Sequence, residues 1–487
     1  MTKSWSNPTP RRNAIKTIGA AGIIGLAGCA GDGGGGGGGG GDGGDGGSTQ
    51  SGGSTSGSNS EWPDYSGQSL HILTGIQNQK EIFANIGEEF KSATGIDEIK
   101  IEVTGMNNQR QRVIQLVQAG DPPDIVQDTQ TLTPRYVNAD LALDVSGMIA
   151  DISDRIGAPA DNARVKLDGS DYFVPLWHNI SSWWWRDDLV EAAGLNPSDF
   201  EDADWDLAME AAEKMHDPEN NINGTYVPAG TGSHSTFRTI AWLYTNGGSI
   251  CTWENDEIVV NFDEGKNRTR MIETLEMLKE RYQYSPAATD SSWDTAANAI
   301  PNGNTACKWY LGFRPKIRSI ENDRDFAPDV HVAPMPAKET KQTVASTDGF
   351  VPIDGNNPEA AQDFLRFMMQ PKYIVNILAS ITPVHNVPAY PGISDSDVYN
   401  EAISEAPWNT ESMNVADDIK TYTSNRQYVR PRIFDTNPPN PYSNASYVSE
   451  PLWSLHQDVL LNDTEPAAAV DKWAPKLQQK IDAAQNN

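Results

Sequence analysis

Cysteine is nearly missing, with three in 487 residues. They stand far apart, at Cys29, Cys251 and Cys307. That excludes a small disulfide scaffold and every Cys-x-x-Cys redox or zinc motif. Histidine is scarce too: the seven present show no zinc-ligand spacing, so no metal or other cofactor is expected. Basic residues are few, 37 Lys and Arg against 66 Asp and Glu, for a formal net charge of −29. Four of the basic residues (Lys3, Arg11, Arg12, Lys16) lie in the first 29 positions, which hold no acid, so the remainder carries about −33. Such a chain repels nucleic acid and anionic lipid heads. No apolar run reaches the roughly 18 residues of a membrane-spanning helix. Missing also are His-Glu-x-x-His, Gly-x-Ser-x-Gly and a Walker loop, the local signatures of metalloproteases, serine hydrolases and P-loop enzymes. No catalytic residues are assigned.

What is present begins with an address. Arg11-Arg12 precedes a weakly apolar run, Thr17 to Ala27, and then Leu26-Ala27-Gly28-Cys29. The run is about half a membrane span, the length of a signal core. The paired arginines resemble a twin-arginine export signal, and the small residues before Cys29 resemble a lipobox. The expectation is a signal over residues 1–29, with Cys29 lipidated as the mature N-terminus. Residues 30–60 are Gly, Asp, Ser and Thr almost throughout. Such a tract cannot bury enough apolar surface to offset chain entropy, so it reads as a disordered tether of about 30 Å r.m.s. length. The acid-rich, lysine-poor composition is similar to that of proteins from salt-loving organisms. Cys251 and Cys307 remain as either a disulfide or two small buried residues.

The body, residues 61 to 487, is long enough for two lobes. Ser69 to Leu73 reads as a strand, and Ile82, Phe83, Ile86 and Phe90 as a helix closed by Gly95. Ile99 to Val103 reads as a strand, Val113, Leu116 and Val117 as a helix, and Asp124 to Asp128 as a third strand. This alternation implies a parallel α/β sheet, whose ligands sit beyond the carboxyl ends of the strands, here Thr74 to Asn78 and Asp128 to Thr131. Tyr172 to Leu176 and Asn179 to Trp185 read as two short strands. Asp202 to Glu213 has acids at calcium-loop positions but Leu207 where the sharp-turn glycine belongs, so a helix capped by Asp204 or Asp206 is the better reading. Thr305 to Leu311, Val330 to Ala333 and Phe350 to Ile353 are further strands. Asn357-Pro358 opens a helix, and Pro466 to Ala484 forms the last.

Five segments in this order resemble the extracellular solute-binding proteins of sugar-type ABC transporters, the maltodextrin-binding proteins among them. They are Gly120-Asp121-Pro122-Pro123-Asp124-Ile125, Pro175 to Leu189, Trp205 at a helix start, Gly303-Asn304-Thr305-Ala306-Cys307, and Gly349 to Met369. The resemblance implies a periplasmic-binding-protein-like α/β fold, two lobes joined by hinge strands with the ligand cleft between them. One lobe would hold 65–178 and 334–382, the other 179–333 and 383–487. It implies no enzyme, but a lipid-anchored monomer on the outer face of the cell membrane. This monomer would deliver a solute to permease subunits and their ATPase. A secreted glycoside hydrolase or a surface adhesin is the alternative class.

In the family, the positions of Gln77, Asp128, Thr131 and Asn179 face the cleft. Aromatic faces stack on the C–H faces of sugars while amides and carboxylates bind the hydroxyls. The 14 tryptophans supply candidates. Trp183 and Trp185 share one strand face with Trp184 opposite, so at least one of the three is core. Trp183, Phe237, Trp242, Trp309, Phe313 and Trp408 are the aromatic candidates, and Asp348 either contacts ligand or caps a turn. The acidity of the chain favours a neutral sugar, although Arg314 could hold a phosphate. Relatives on this scaffold also bind glycerol phosphate diesters and other polar solutes.

Overall fold

Three apolar runs and the two helices between them build the first sheet. The computed structural model describes residues 61–75, 79–104, 106–287, 292–380, 386–404 and 415–486. Strand β1 (Ser69–Thr74) leads to helix α1 (Lys80–Thr94), β2 (Glu98–Val103), α2 (Met106–Gln118) and β3 (Ile125–Thr129). Both β2 and β3 lie parallel to β1, with Ile72 opposite Ile101 on one side and Ile125 on the other. Helix α1 buries Phe83, Ile86 and Phe90. It stops at Gly95, whose φ of 70° suits glycine and whose N–H reaches the Lys91 carbonyl.

Strand β4 (Val174–Arg186) is the spine of the molecule, 13 residues and all of them buried. The sequence reads there as two strands, because the polar pair His178-Asn179 interrupts the apolar pattern. One strand forms instead, because those polar groups find partners inside it: His178 Nδ1 shares a hydrogen bond of 2.9 Å with the Thr347 hydroxyl. The remaining strands of the sheet are β5 (Asn223–Tyr226), β6 (Thr305–Leu311), β7 (Val330–Ala333), β8 (Ala345–Pro352) and β9 (Val387–Pro388). The order is β2-β1-β3-β8-β4-β6-β5, with β7 and β9 also paired to β4. The first half of β4 pairs with β8 and β9, and its second half with β6 and β7. One strand therefore belongs to two sheet halves.

Each half has a core on both faces. Around β1 to β3, Ile72 and Ile125 pack with Phe83, Phe90, Phe364 and Tyr390, while Leu73 and Val126 pack on the other face with Tyr136, Val351 and Ile433. Around β6, Trp183, Trp185, Cys307 and Trp309 face one cluster, and Trp184, Tyr310 and Phe313 the other. Helices α3 (Trp205–Lys214), α4 (Ser233–Thr245), α5 (Gly265–Tyr282), α6 (Pro358–Met368), α7 (Glu450–Leu461) and α8 (Pro466–Gln485) clothe these faces. Asp204 caps α3 by accepting from the Leu207 N–H at 2.8 Å, which disposes of the calcium-loop pattern. From His234 onward α4 is buried on every side. Cys251 and Cys307 are both free and buried, and burial raises both thiols. Among the described residues no helix is long and apolar enough to cross a membrane. The signal, Cys29 and the tether lie outside them.

Candidate functional site

The carboxyl ends of β1 and β3 meet the start of β8, and the register does the placing. Asp348 lies opposite Thr129, and Gly349 opposite Asp128. Between Asp348 and Gly349 the pairing of β8 with β4 shifts register. Gly349 permits the shift: a Cβ there would stand 2.2 Å from the Val174 carbonyl oxygen and 2.6 Å from the Phe173 ring.

Asp348 is buried, and its partners are all neutral. Its Oδ2 accepts from the Trp177 indole at 2.9 Å and from Asn179 Nδ2 at 3.0 Å, and its Oδ1 from the Ser346 hydroxyl at 3.1 Å. Burial pushes its pKa up to about 6, against those hydrogen bonds and with help from the charge of Asp128. Asp128 is differently held. It accepts from Arg135 Nη2 at 2.9 Å and from the Tyr136 hydroxyl at 2.8 Å. The carbonyl of Thr131 accepts from the Ser443 hydroxyl at 2.6 Å, tying the loop after β3 to a late segment of the chain.

That late segment also supplies Arg432, only 3% exposed. Its guanidinium carbon lies over the Phe237 ring, 3.7 Å from the centroid. Burial pushes its pKa down to about 10; the charge of Arg110 pushes the same way, and Asp348 pulls against it. From Phe237 an aromatic wall continues through Trp293, His234 and Trp309, with Trp293 5.7 Å from Phe237 and 6.1 Å from Trp309 between centroids.

Of the residues singled out in the sequence, Asp128, Asn179 and Asp348 are brought together, with Phe237 joined through Arg432. Trp309 stands further along the aromatic wall. Trp183 and Trp242 do not join the cluster. They pack edge to face at 6.0 Å in the core, with the Arg281 guanidinium over both. Phe313 packs between Trp184 and Tyr422, also in a core. Gln77 and Trp408 lie outside the described residues. Arg110, Arg135, Tyr136, Trp177, Trp293 and Arg432 escaped the sequence reading; for Arg432, an arginine in a segment rich in Pro and Asn carries no local signal. A cavity of about 300 Å³ between residues 394–404 and 419–426 lies elsewhere and brings no such convergence of buried polar groups. Among the described residues no group of three or more His, Cys, Asp or Glu could hold a metal.

The fold is that of periplasmic-binding-type solute receptors. The chain belongs to the bacterial extracellular solute-binding proteins, whose family model matches residues 76–374. Among solved structures it is similar to an ABC-transporter solute-binding protein of Thermotoga lettingae bound to α-D-tagatose, at 19% identity and a TM-score of 0.67, covering 85% of this chain and 100% of that one. A solute-binding protein of Agrobacterium radiobacter in complex with ribitol gives 18% identity and 0.65, covering 85% and 99%. Maltose-bound MalE3 of T. maritima gives 16% and 0.63, covering 84% and 98%. No curated protein matches the chain.

Proposed function

We propose that this protein is the substrate-capturing component of an ABC importer, closing on a sugar and delivering it to the permease. In this reading one lobe comprises 65–178 and 334–382 and the other 179–333 and 383–487, with β4 and β8 among the hinge strands. The observation that carries it is the meeting of Asp128, Asn179 and Asp348 with the ring of Phe237 where the two halves of the sheet join. Carboxylates and amides there suit sugar hydroxyls, and the ring with the Trp293–Trp309 wall suits their C–H faces. The structural neighbours named above, bound to tagatose, ribitol and maltose, support the same solute class. Solute contacts to both lobes exist only when they are closed, so binding shifts the population toward the form a permease reads. The role is capture and not catalysis. In this reading Arg11-Arg12 directs export and Cys29 carries the lipid that anchors the protein on the outer face of the membrane.

The test has two arms. In a thermal-shift screen at high salt, a bound sugar at 100 times its Kd adds about 2.7 kcal/mol of stability and leaves the sugar uncut. Cleavage of an oligosaccharide, or no shift from any solute, contradicts capture. Cys29→Ser should release the protein into the medium, and equal membrane retention of both forms contradicts the anchor.

A further inference from the structure

Three arginines lie within Coulombic reach of Asp128 or Asp348, and only one is paired to a carboxylate. Arg135 is paired with Asp128. Arg110, in the first turns of α2, lies within Coulombic reach of Asp128, Arg135 and Arg432, yet it makes no ion pair among the described residues. Arg432 makes none either, and its Nε and Nη1 are buried without a hydrogen-bond partner among the described residues. Asp348 makes no hydrogen bond to Arg432; its bonds come from Trp177, Asn179 and Ser346. Arg430, two residues earlier, shows the ordinary solution: its Nη2 donates to Asp435 at 2.6 Å. A buried guanidinium left without an anion is costly, and this chain has acids to spare, 66 against 37 basic residues.

The geometry of Arg432 says what would complete it. Phe237 sits against the guanidinium carbon. Nε and Nη1 lie on different edges of the guanidinium and both keep a donor unused, so the buried cation lacks an anionic acceptor such as a carboxylate or phosphate. Asn179, which donates to Asp348, keeps Oδ1 as a buried acceptor without a partner among the described residues, suited to a hydroxyl. We propose that the captured solute carries an anionic group, a carboxylate or a phosphate ester, received by the guanidinium of Arg432 with Arg110 within Coulombic reach of it. The solute is then a sugar acid or a sugar phosphate. This rests on the capture reading above and departs from the neutral sugar that the overall charge suggests. The net charge of the surface does not set the charge of a buried site.

Calorimetry at one fixed high salt concentration would test it with galacturonate, glucuronate, glucose 6-phosphate and glycerol 3-phosphate, each against its neutral parent: galactose, glucose or glycerol. The expected result is that at least one acid binds about tenfold or more tighter than its parent, the scale of one charge-assisted hydrogen bond. Response to uronates alone or to phosphates alone identifies the anion. Arg432→Gln should abolish that preference while the ligand-free protein melts no lower, since an unpartnered buried cation has been removed. If that variant does not fold, Arg110→Gln, at a half-buried position, should weaken the preference instead. Neutral sugars bound as tightly as their acids overturn this inference and leave sugar capture standing. No binding by any acid or parent, together with no shift from any solute in the wider screen, overturns both.

Discussion

Asp348 is a carboxylate whose environment works against its charge, and that has a sign in pH. Its pKa is pushed up to about 6 by burial, against about 3.9 in an unfolded chain. Between those values the folded state holds more protons than the unfolded one. The burial penalty is therefore present above about pH 6 and is relieved as the pH falls toward 4, on the order of 2 to 3 kcal/mol. Asp348→Asn keeps an acceptor for Trp177 and removes the charge. The stability difference between variant and wild type should be largest near pH 7 and vanish near pH 4, read by denaturant unfolding at each pH. A difference flat across that range would mean that Asp348 is not charged at a cost in the fold. At this scale the sequence was half legible. Asp128, Asn179 and Asp348 stand in segments with a recognisable order. Arg432 is positioned by tertiary packing on Phe237, nearly two hundred positions earlier, and no local pattern encodes such a pairing.

Elements were more legible, because their signals are local. Gly95 ends α1 in the left-handed conformation its position suggests. Asp204 opens α3 with its side chain. Asn357 stands before α6 as expected, but its side chain does not cap it; Nδ2 donates to the Ser69 carbonyl at 2.7 Å. The alternation of the three tryptophans in β4 also holds, with Trp184 on the face opposite Trp183 and Trp185. What alternation cannot say is which face meets solvent or ligand, and both faces of β4 are covered. The register shift of β8 is the other feature hidden from sequence. Thr347-Asp348-Gly349 reads as a turn before a strand, yet the strand runs through it from Ala345. Gly349→Ala should therefore be destabilising by about 1 to 3 kcal/mol, because the added methyl meets backbone that no rotamer change can clear. Gly147→Ala is the control, since a Cβ there has nothing within 4 Å and the residue is helical, so it should be neutral or slightly stabilising. Equal effects of the two substitutions in chemical unfolding would refute the packing argument at β8.

The whole molecule is governed by charge, and its surface and interior answer differently. Many of its ion pairs are exposed, such as Lys372 with Glu89 and Lys420 with Asp417, and such pairs contribute little. The net charge of −29 is instead a sum of like-charge repulsions spread over the surface. Salt shortens the reach of each repulsion, from about 30 Å at 0.01 M to about 3 Å at 1 M. The buried set of Asp128, Asp348 and Arg432 is screened far less, because ions do not enter it. Removing salt should thus lower the melting temperature through the surface while leaving the internal hydrogen bonds intact. Repulsion between like charges falls away once the screening length is shorter than their spacing, so the gain should level off near molar salt. The measurement is a melting curve from millimolar to molar potassium chloride, with tryptophan fluorescence reporting the buried Trp183, Trp184 and Trp309. A melting temperature unchanged across that range would mean that the acidic surface is not a source of instability.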